Sequence, residues 1–122
     1  MKIPKPTDAD RERFATFVPD AQDVEVKPMF GNLGAYANGN MFMGLFGSDI
    51  GIELPDADRA TLRAKPGTGP FGPEERPMGG YVTLPTAWSL KQARPWIAKA
   101  HTNAASLPPK QPRPRAAKKR PT

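Results

Sequence analysis

The chain has 122 residues, the length of one domain, with 18 basic and 12 acidic side chains, a formal net charge of +6 and no cysteine. The lack of cysteine excludes disulfides, thiolate metal sites and cysteine nucleophiles together. No 18 apolar residues run together, and Met1-Lys2-Ile3-Pro4-Lys5 is followed by no apolar stretch, so the expectation is a chain without a spanning helix or signal peptide, located in the cytoplasm.

Thr7 reads as a helix N-cap. Asp8 and Asp10 follow in the first turn, where a carboxylate meets the positive end of the helix dipole. Phe14, Phe17 and Val18 recur at helical spacing, which predicts a short amphipathic helix over residues 8–18. From Val24 the period changes to two, with Val24 and Val26 alternating with Glu25 and Lys27, as a strand does. Pro28-Met29-Phe30-Gly31-Asn32 is expected to break or bulge that strand. Leu33 to Ala37 reads as the next strand, and Met41 to Phe46 as its return. Asn38-Gly39 between them is a type I′ hairpin signal, because both central residues of that turn need positive φ. Strict alternation puts Met41, Met43 and Leu45 on one face of the return strand and Phe42, Gly44 and Phe46 on the other. Both faces are apolar, so the strand should be central. A turn at Gly47-Ser48-Asp49 leads into Ile50, Ile52 and Leu54, a further alternating run.

Pro55-Asp56 opens a second predicted helix, with Asp56 as its cap, Ala57, Ala60, Leu62 and Ala64 as its apolar positions, and Arg59 and Arg63 facing out. Residues 66–79 are rich in Pro and Gly and read as a long loop, of the kind that in a compact domain is usually functional. Tyr81 to Leu84 is the last strand. Ser89 with Gln92 forms a capping box, and Leu90, Ala93, Ile97, Ala100, Ala104 and Leu107 make one helical stripe. Pro95 either kinks this helix or begins it. The order predicts an α+β two-layer sandwich, α-β(3-4)-α-β-α, with an antiparallel sheet of four or five strands and flanking helices.

The net charge belongs to the end of the chain. Residues 1–101 hold twelve acids and twelve bases, whereas Lys110, Arg113, Arg115, Lys118, Lys119 and Arg120 stand beyond them with no acid. We therefore expect a domain over residues 1–105 and a disordered, proline-rich basic tail over 106–122. Such a tail resembles, in composition only, those of linker-histone-like proteins, and it can neutralise phosphates without reading sequence. It has no aromatic residue with which to stack bases.

Residues suited to catalysis are sparse. His101 is the single histidine and is expected near the end of the last helix, where a cation is favoured. Ser48, Ser89 and Ser106 stand in no Gly-x-Ser-x-Gly elbow. Glu74-Glu75 is an adjacent pair in a proline-rich loop, and Lys65-Pro66-Gly67-Thr68-Gly69 lacks the strand-to-helix setting and the ending of a phosphate cradle. The concentration of Met29, Phe30, Met41, Phe42, Met43 and Phe46 is mostly core, but methionine also lines adaptable binding surfaces. Met29, Phe30, Phe42, Phe46 and Trp96 are the candidate partner or ligand surface. Trp96 is also the candidate anchor of a weak homodimer through the last helix, the alternative being a monomer with Trp96 turned inward.

Met29-Phe30-Gly31-Asn32, then Leu33-Gly34-Ala35-Tyr36, the Asn38-Gly39 turn and Met41-Phe42 together resemble the signature of the TfoX amino-terminal domain family. Pro70-Phe71, Met78, Leu84-Pro85 and Pro95-Trp96 fall in matching order, so the resemblance covers about residues 12–101. Asn32 stands where the family has a second Gly, and Gly51 where it has an aromatic residue. The resemblance implies a small two-layer α/β domain, a link to regulators of natural competence, and no catalytic residues or cofactor. Full-length members carry a further helical domain, and the resemblance leads us to expect the basic tail in its place here. The leading expectation is a non-enzymatic regulatory or binding module with an unknown protein partner or ligand and weak nucleic-acid affinity from the tail. The alternative is a small nucleoid-associated DNA-binding protein that acts mainly through the tail.

Overall fold

The computed structural model describes residues 5–29, 31–72 and 77–108. In chain order they form α1 (Asp8–Phe17), β1 (Val24–Met29), β2 (Asn32–Ala37), β3 (Asn40–Phe46), β4 (Asp49–Glu53), α2 (Asp56–Arg63), β5 (Tyr81–Thr83) and α3 (Leu90–Ser106). The strands make one open sheet in the order β1-β2-β3-β4-β5, antiparallel throughout. This is the predicted α+β class, with β3 central. The four-strand meander follows from three consecutive tight turns, each with a residue of positive φ: Gly31 at 77°, Asn38 and Gly39 at 53° and 80°, and Gly47 at 63°. Asn38-Gly39 has the sign pattern that a type I′ turn requires.

Local chemistry sets the helix ends. Thr7 accepts from the Asp10 amide while the Asp10 carboxylate accepts from the Thr7 amide, a reciprocal capping box. Ser89 and Gln92 repeat the arrangement at the start of α3. Pro95 therefore lies inside α3, which begins at Leu90. Its missing N–H deprives the Lys91 carbonyl of a partner, and both residues lie on the exposed face, where water reaches that carbonyl.

One face of the sheet carries all three helices. Phe14 and Phe17 of α1, Leu62 of α2 and Ala93, Ile97, Ala100 and Ala104 of α3 pack on Ala35, Ala37, Met43, Leu45, Ile50, Ile52 and Val82. The alanines of α3 let that helix lie close to the strands. Each large side chain buried here contributes about 1.5–3 kcal/mol.

Four expectations are corrected. First, β1 does not end at Pro28, which pairs with Leu33. An edge strand has a side without ladder bonds, and proline is tolerated there. Secondly, Asp56 is the first residue of α2 and its cap position is Pro55, which has no side chain to cap with. Asp56 instead pairs with Arg59. Thirdly, α2 does not pack through its alanines. Ala57, Ala60 and Ala64 are exposed and Leu62 alone is buried, while Arg59 folds back to donate to the Leu54 carbonyl at 2.9 Å. The polar helix is too short to turn more than one apolar side chain inward.

The fourth correction concerns β3. Tyr36 pairs with Met41 but Ala35 pairs with Met43, so Phe42 is an extra residue, a β-bulge. The bulge breaks strict alternation. Phe42, Met43 and Leu45 all enter the helix-covered core, and Met41 joins Gly44 and Phe46 on the other face.

Candidate binding surface

The face of the sheet away from the helices has an unusual floor. The ladder aligns Gly34 with Gly44, Gly44 with Gly51 and Gly51 with Thr83. Three successive strands thus have no side chain at the same level. A side chain removed from a pleated sheet leaves a trough, and neighbouring groups fill it. A Cβ on Gly51 would lie 2.3 Å from two carbons of the Phe71 ring, and one on Gly44 would lie 2.7 Å from the Met41 methyl and 3.1 Å from Phe71. Over Gly34 lie the Tyr36 ring and the Met41 sulfur. Phe71 comes from the loop between α2 and β5. Although the loop is polar on average, this residue is fully buried.

That loop is held at both ends of its described part. The Thr83 amide donates to the Gly69 carbonyl at 2.8 Å, and the Thr83 hydroxyl donates to the Pro70 carbonyl at 2.7 Å. The Met78 amide donates to the Phe71 carbonyl at 2.8 Å. Phe71 stacks on Tyr81 with ring centroids 5.7 Å apart and meets Phe46 edge-on at 6.3 Å. Phe46, Phe71 and Tyr81 form a second small core, with Met41 and Met78 half-buried at its border.

The border is amphipathic. The Tyr81 hydroxyl donates to the Met41 carbonyl at 3.2 Å. Burial, the Glu53 carboxylate and the Tyr36 phenol all push its ionisation above the ordinary tyrosine value. At one end Lys27 lies over the Tyr36 ring at 5.3 Å. At the other, burial pushes the Asp49 carboxyl above its usual range.

The residues singled out from the sequence fall in different places. Phe46 belongs to this face. Phe42 does not: it is fully buried under α3, where its ring stacks on His101 at 5.3 Å, so it presents no surface to a partner. The Met29 side chain and Phe30 lie outside the described residues, as do Lys110, Arg113, Arg115, Lys118, Lys119 and Arg120 and the pair Glu74-Glu75. Trp96 is half-buried against the main core, with the Lys65 ammonium 5.7 Å from its ring centroid. His101 Nε2 sits 3.0 and 3.1 Å from the two Asp23 carboxylate oxygens. The single imidazole thus ties α3 to the segment before β1.

Sequence reasoning missed Phe71, Tyr36 and Met41 as members of one surface. The positive φ of the turn before β2 belongs to Gly31. Asn32 is buried in β2, and its side-chain oxygen accepts from the Gly47 amide at 2.8 Å, fastening the neighbouring turn.

Among the described residues no helix is long and apolar enough to cross a membrane, and no group of three or more His, Asp or Glu is placed to hold a metal ion. No curated protein and no solved structure matches the chain significantly. The TfoX N-terminal domain matches residues 16–104, from the second half of α1 to the last turn of α3. It spans the five-stranded sheet, the glycine row and the Phe71 loop, and so the chain belongs to the TfoX N-terminal domain family.

Proposed function

We propose that this chain is a non-enzymatic binding module whose sheet face opposite the helices receives an apolar segment of a partner protein, and whose basic tail adds weak, sequence-independent affinity for nucleic acid. Membership of the family supports a regulatory or binding role in general. The observation that carries the finer reading is the composition of the outer face. Where an outer sheet face normally alternates polar residues outward, the centre of this one has Gly34, Gly44 and Gly51 in a row, covered by Phe71 and its neighbours, with Tyr36, Met41 and Met78 half-buried at the border. Methionine and tyrosine suit adaptable recognition, because one is flexible and polarisable and the other has an apolar body with a polar tip.

The tail's part rests on charge. All six excess cations lie at Lys110 and beyond, and residues 1–101 are neutral. Full-length protein titrated with a labelled 20-base-pair duplex should bind weakly at low salt. The slope of log K against log salt should be no steeper than about −5, the limit six phosphate contacts impose. Replacing Lys110, Arg113, Arg115, Lys118, Lys119 and Arg120 by Gln should abolish both the affinity and the slope. Equal affinity for the two proteins would refute the tail's role.

A further inference from the structure

We propose that β1 is a self-pairing edge, through which two copies of this chain join their sheets antiparallel about Val26. The sheet order puts β1 at one end. The hairpin to β2 closes on the pair Met29–Asn32 with two residues between. A two-residue hairpin closes on a hydrogen-bonded pair, and such pairs alternate along the ladder. Met29, Lys27 and Glu25 therefore bond to β2, and the main-chain groups of Val24, Val26 and Pro28 point away from the sheet. This alternation also explains why Pro28 is accepted: its missing N–H falls on the outer side. The Val24 amide is already given to the Ala21 carbonyl at 3.1 Å. Val26 is left with both its N–H and its C=O directed outward.

The sequence around Val26 is complementary to itself. A two-fold axis through Val26 sets Val26 against its own copy, and the two residues exchange both main-chain bonds. The same operation sets Glu25 against Lys27 of the other copy twice, and Val24 against Pro28 twice. A two-fold interface needs this kind of self-matching patch. Glu25 and Lys27 share the outer face, where they now form a loose pair within one strand at 3.7 Å, with both side chains well exposed. Cross-strand partners of opposite charge stabilise antiparallel pairs, and like charges destabilise them. Val26 is 45% exposed, one of two large apolar side chains so exposed among the described residues. Pairing would cover it with its own copy.

The interface is small by this geometry. Pro28 and the engaged Val24 amide confine the new ladder to the central pair, which also prevents the edge from recruiting strand after strand. The dimer is accordingly weak, with Kd in roughly the micromolar to millimolar range. Sedimentation equilibrium of the full chain should show reversible dimers at high protein concentration. Glu25→Lys puts like charges opposite each other twice and should weaken association at least about fivefold. The exchanged variant, Glu25→Lys with Lys27→Glu, restores opposite charges and should recover the wild-type Kd. Both positions are exposed, and matching melting temperatures would verify that the fold is unchanged. A protein monomeric at millimolar concentration, or a dimer indifferent to Glu25→Lys, would overturn the proposal. So would a dimer abolished by Trp96→Ala but not by Glu25→Lys, since that association would run through α3.

Discussion

Gly51→Ala is expected to destabilise the protein by about 2–4 kcal/mol, although it adds a single methyl group. The new Cβ would fall 2.3 Å from the Phe71 ring, a distance that side-chain carbons do not tolerate. The backbone of β4 cannot yield, because Gly51 is held between Gly44 and Thr83. The ring must move, and it is fully buried between Phe46 and Tyr81. Losing a buried phenylalanine typically costs 3–5 kcal/mol, and overpacking costs 1–3 kcal/mol. The expected value lies where these ranges meet. A double-mutant cycle separates this account from a general intolerance of Ala in β4. Phe71→Ala removes the clash, so Gly51→Ala should cost little or nothing in that background, and the two changes should couple strongly. Thermal or urea unfolding of the four proteins reads the coupling. Additive losses would mean that Phe71 does not lie on Gly51.

Met43→Asp is expected to abolish cooperative folding. Met43 is fully buried on the helix-covered face, paired with Ala35 and Ile52 on the neighbouring strands. Met43 belongs to a cluster of apolar side chains, so the carboxylate would be buried unpaired or stay protonated. Either outcome costs several kcal/mol, a large share of the 5–15 kcal/mol that stabilises a domain of this kind. Circular dichroism at neutral pH should show no cooperative melt. Met41→Asp is the informative contrast, because the bulge turns Met41 to the other, half-open face, and its effect should be clearly smaller. Equal effects at the two positions would contradict the bulge at Phe42.

That bulge marks the limit of what the sequence reveals. Features fixed by neighbours along the chain were legible: the Asn38-Gly39 turn, the cap at Thr7 and the capping box at Ser89. Burial was expected of Met41, Met43 and Leu45 together, and it holds for Met43 and Leu45 but not for Met41, which is half-buried on the other face. Register beyond the bulge was not. A two-residue turn at Asn38-Gly39 with regular pairing would set Gly34 against Met43. The extra residue at Phe42 moves the pairing by one, and Gly34 meets Gly44 instead. No local signal announces the bulge, because it depends on how Phe42 packs under α3 and Met41 beneath Tyr36. The alignment of Gly44 with Gly51 was legible in principle, since Gly47-Ser48 is a tight turn equidistant from both.

Long-range packing was less legible still. Phe71 sits in a segment whose composition reads as loop, and only the empty space over Gly44 and Gly51 explains its burial. The same limit applies to α2. Its alanines form an apolar pattern on paper, but a helix of eight residues anchored by Leu62 and an Arg59–Leu54 hydrogen bond leaves them outside. His101 was assigned to the helix dipole, whereas its actual partner, Asp23, lies 78 residues away.

The binding face is tested most directly with a peptide selected from a display library against the full chain and then measured by calorimetry. The account predicts that Met41→Glu, which charges the centre of the glycine-floored face, weakens the selected peptide at least about tenfold, the equivalent of about 1.4 kcal/mol. Lys91→Glu, on the exposed side of α3, should leave its affinity unchanged. Peptides that bind Met41→Glu as tightly as wild type, and lose affinity with Lys91→Glu, would contradict the claim that the outer sheet face is where this domain receives its partner.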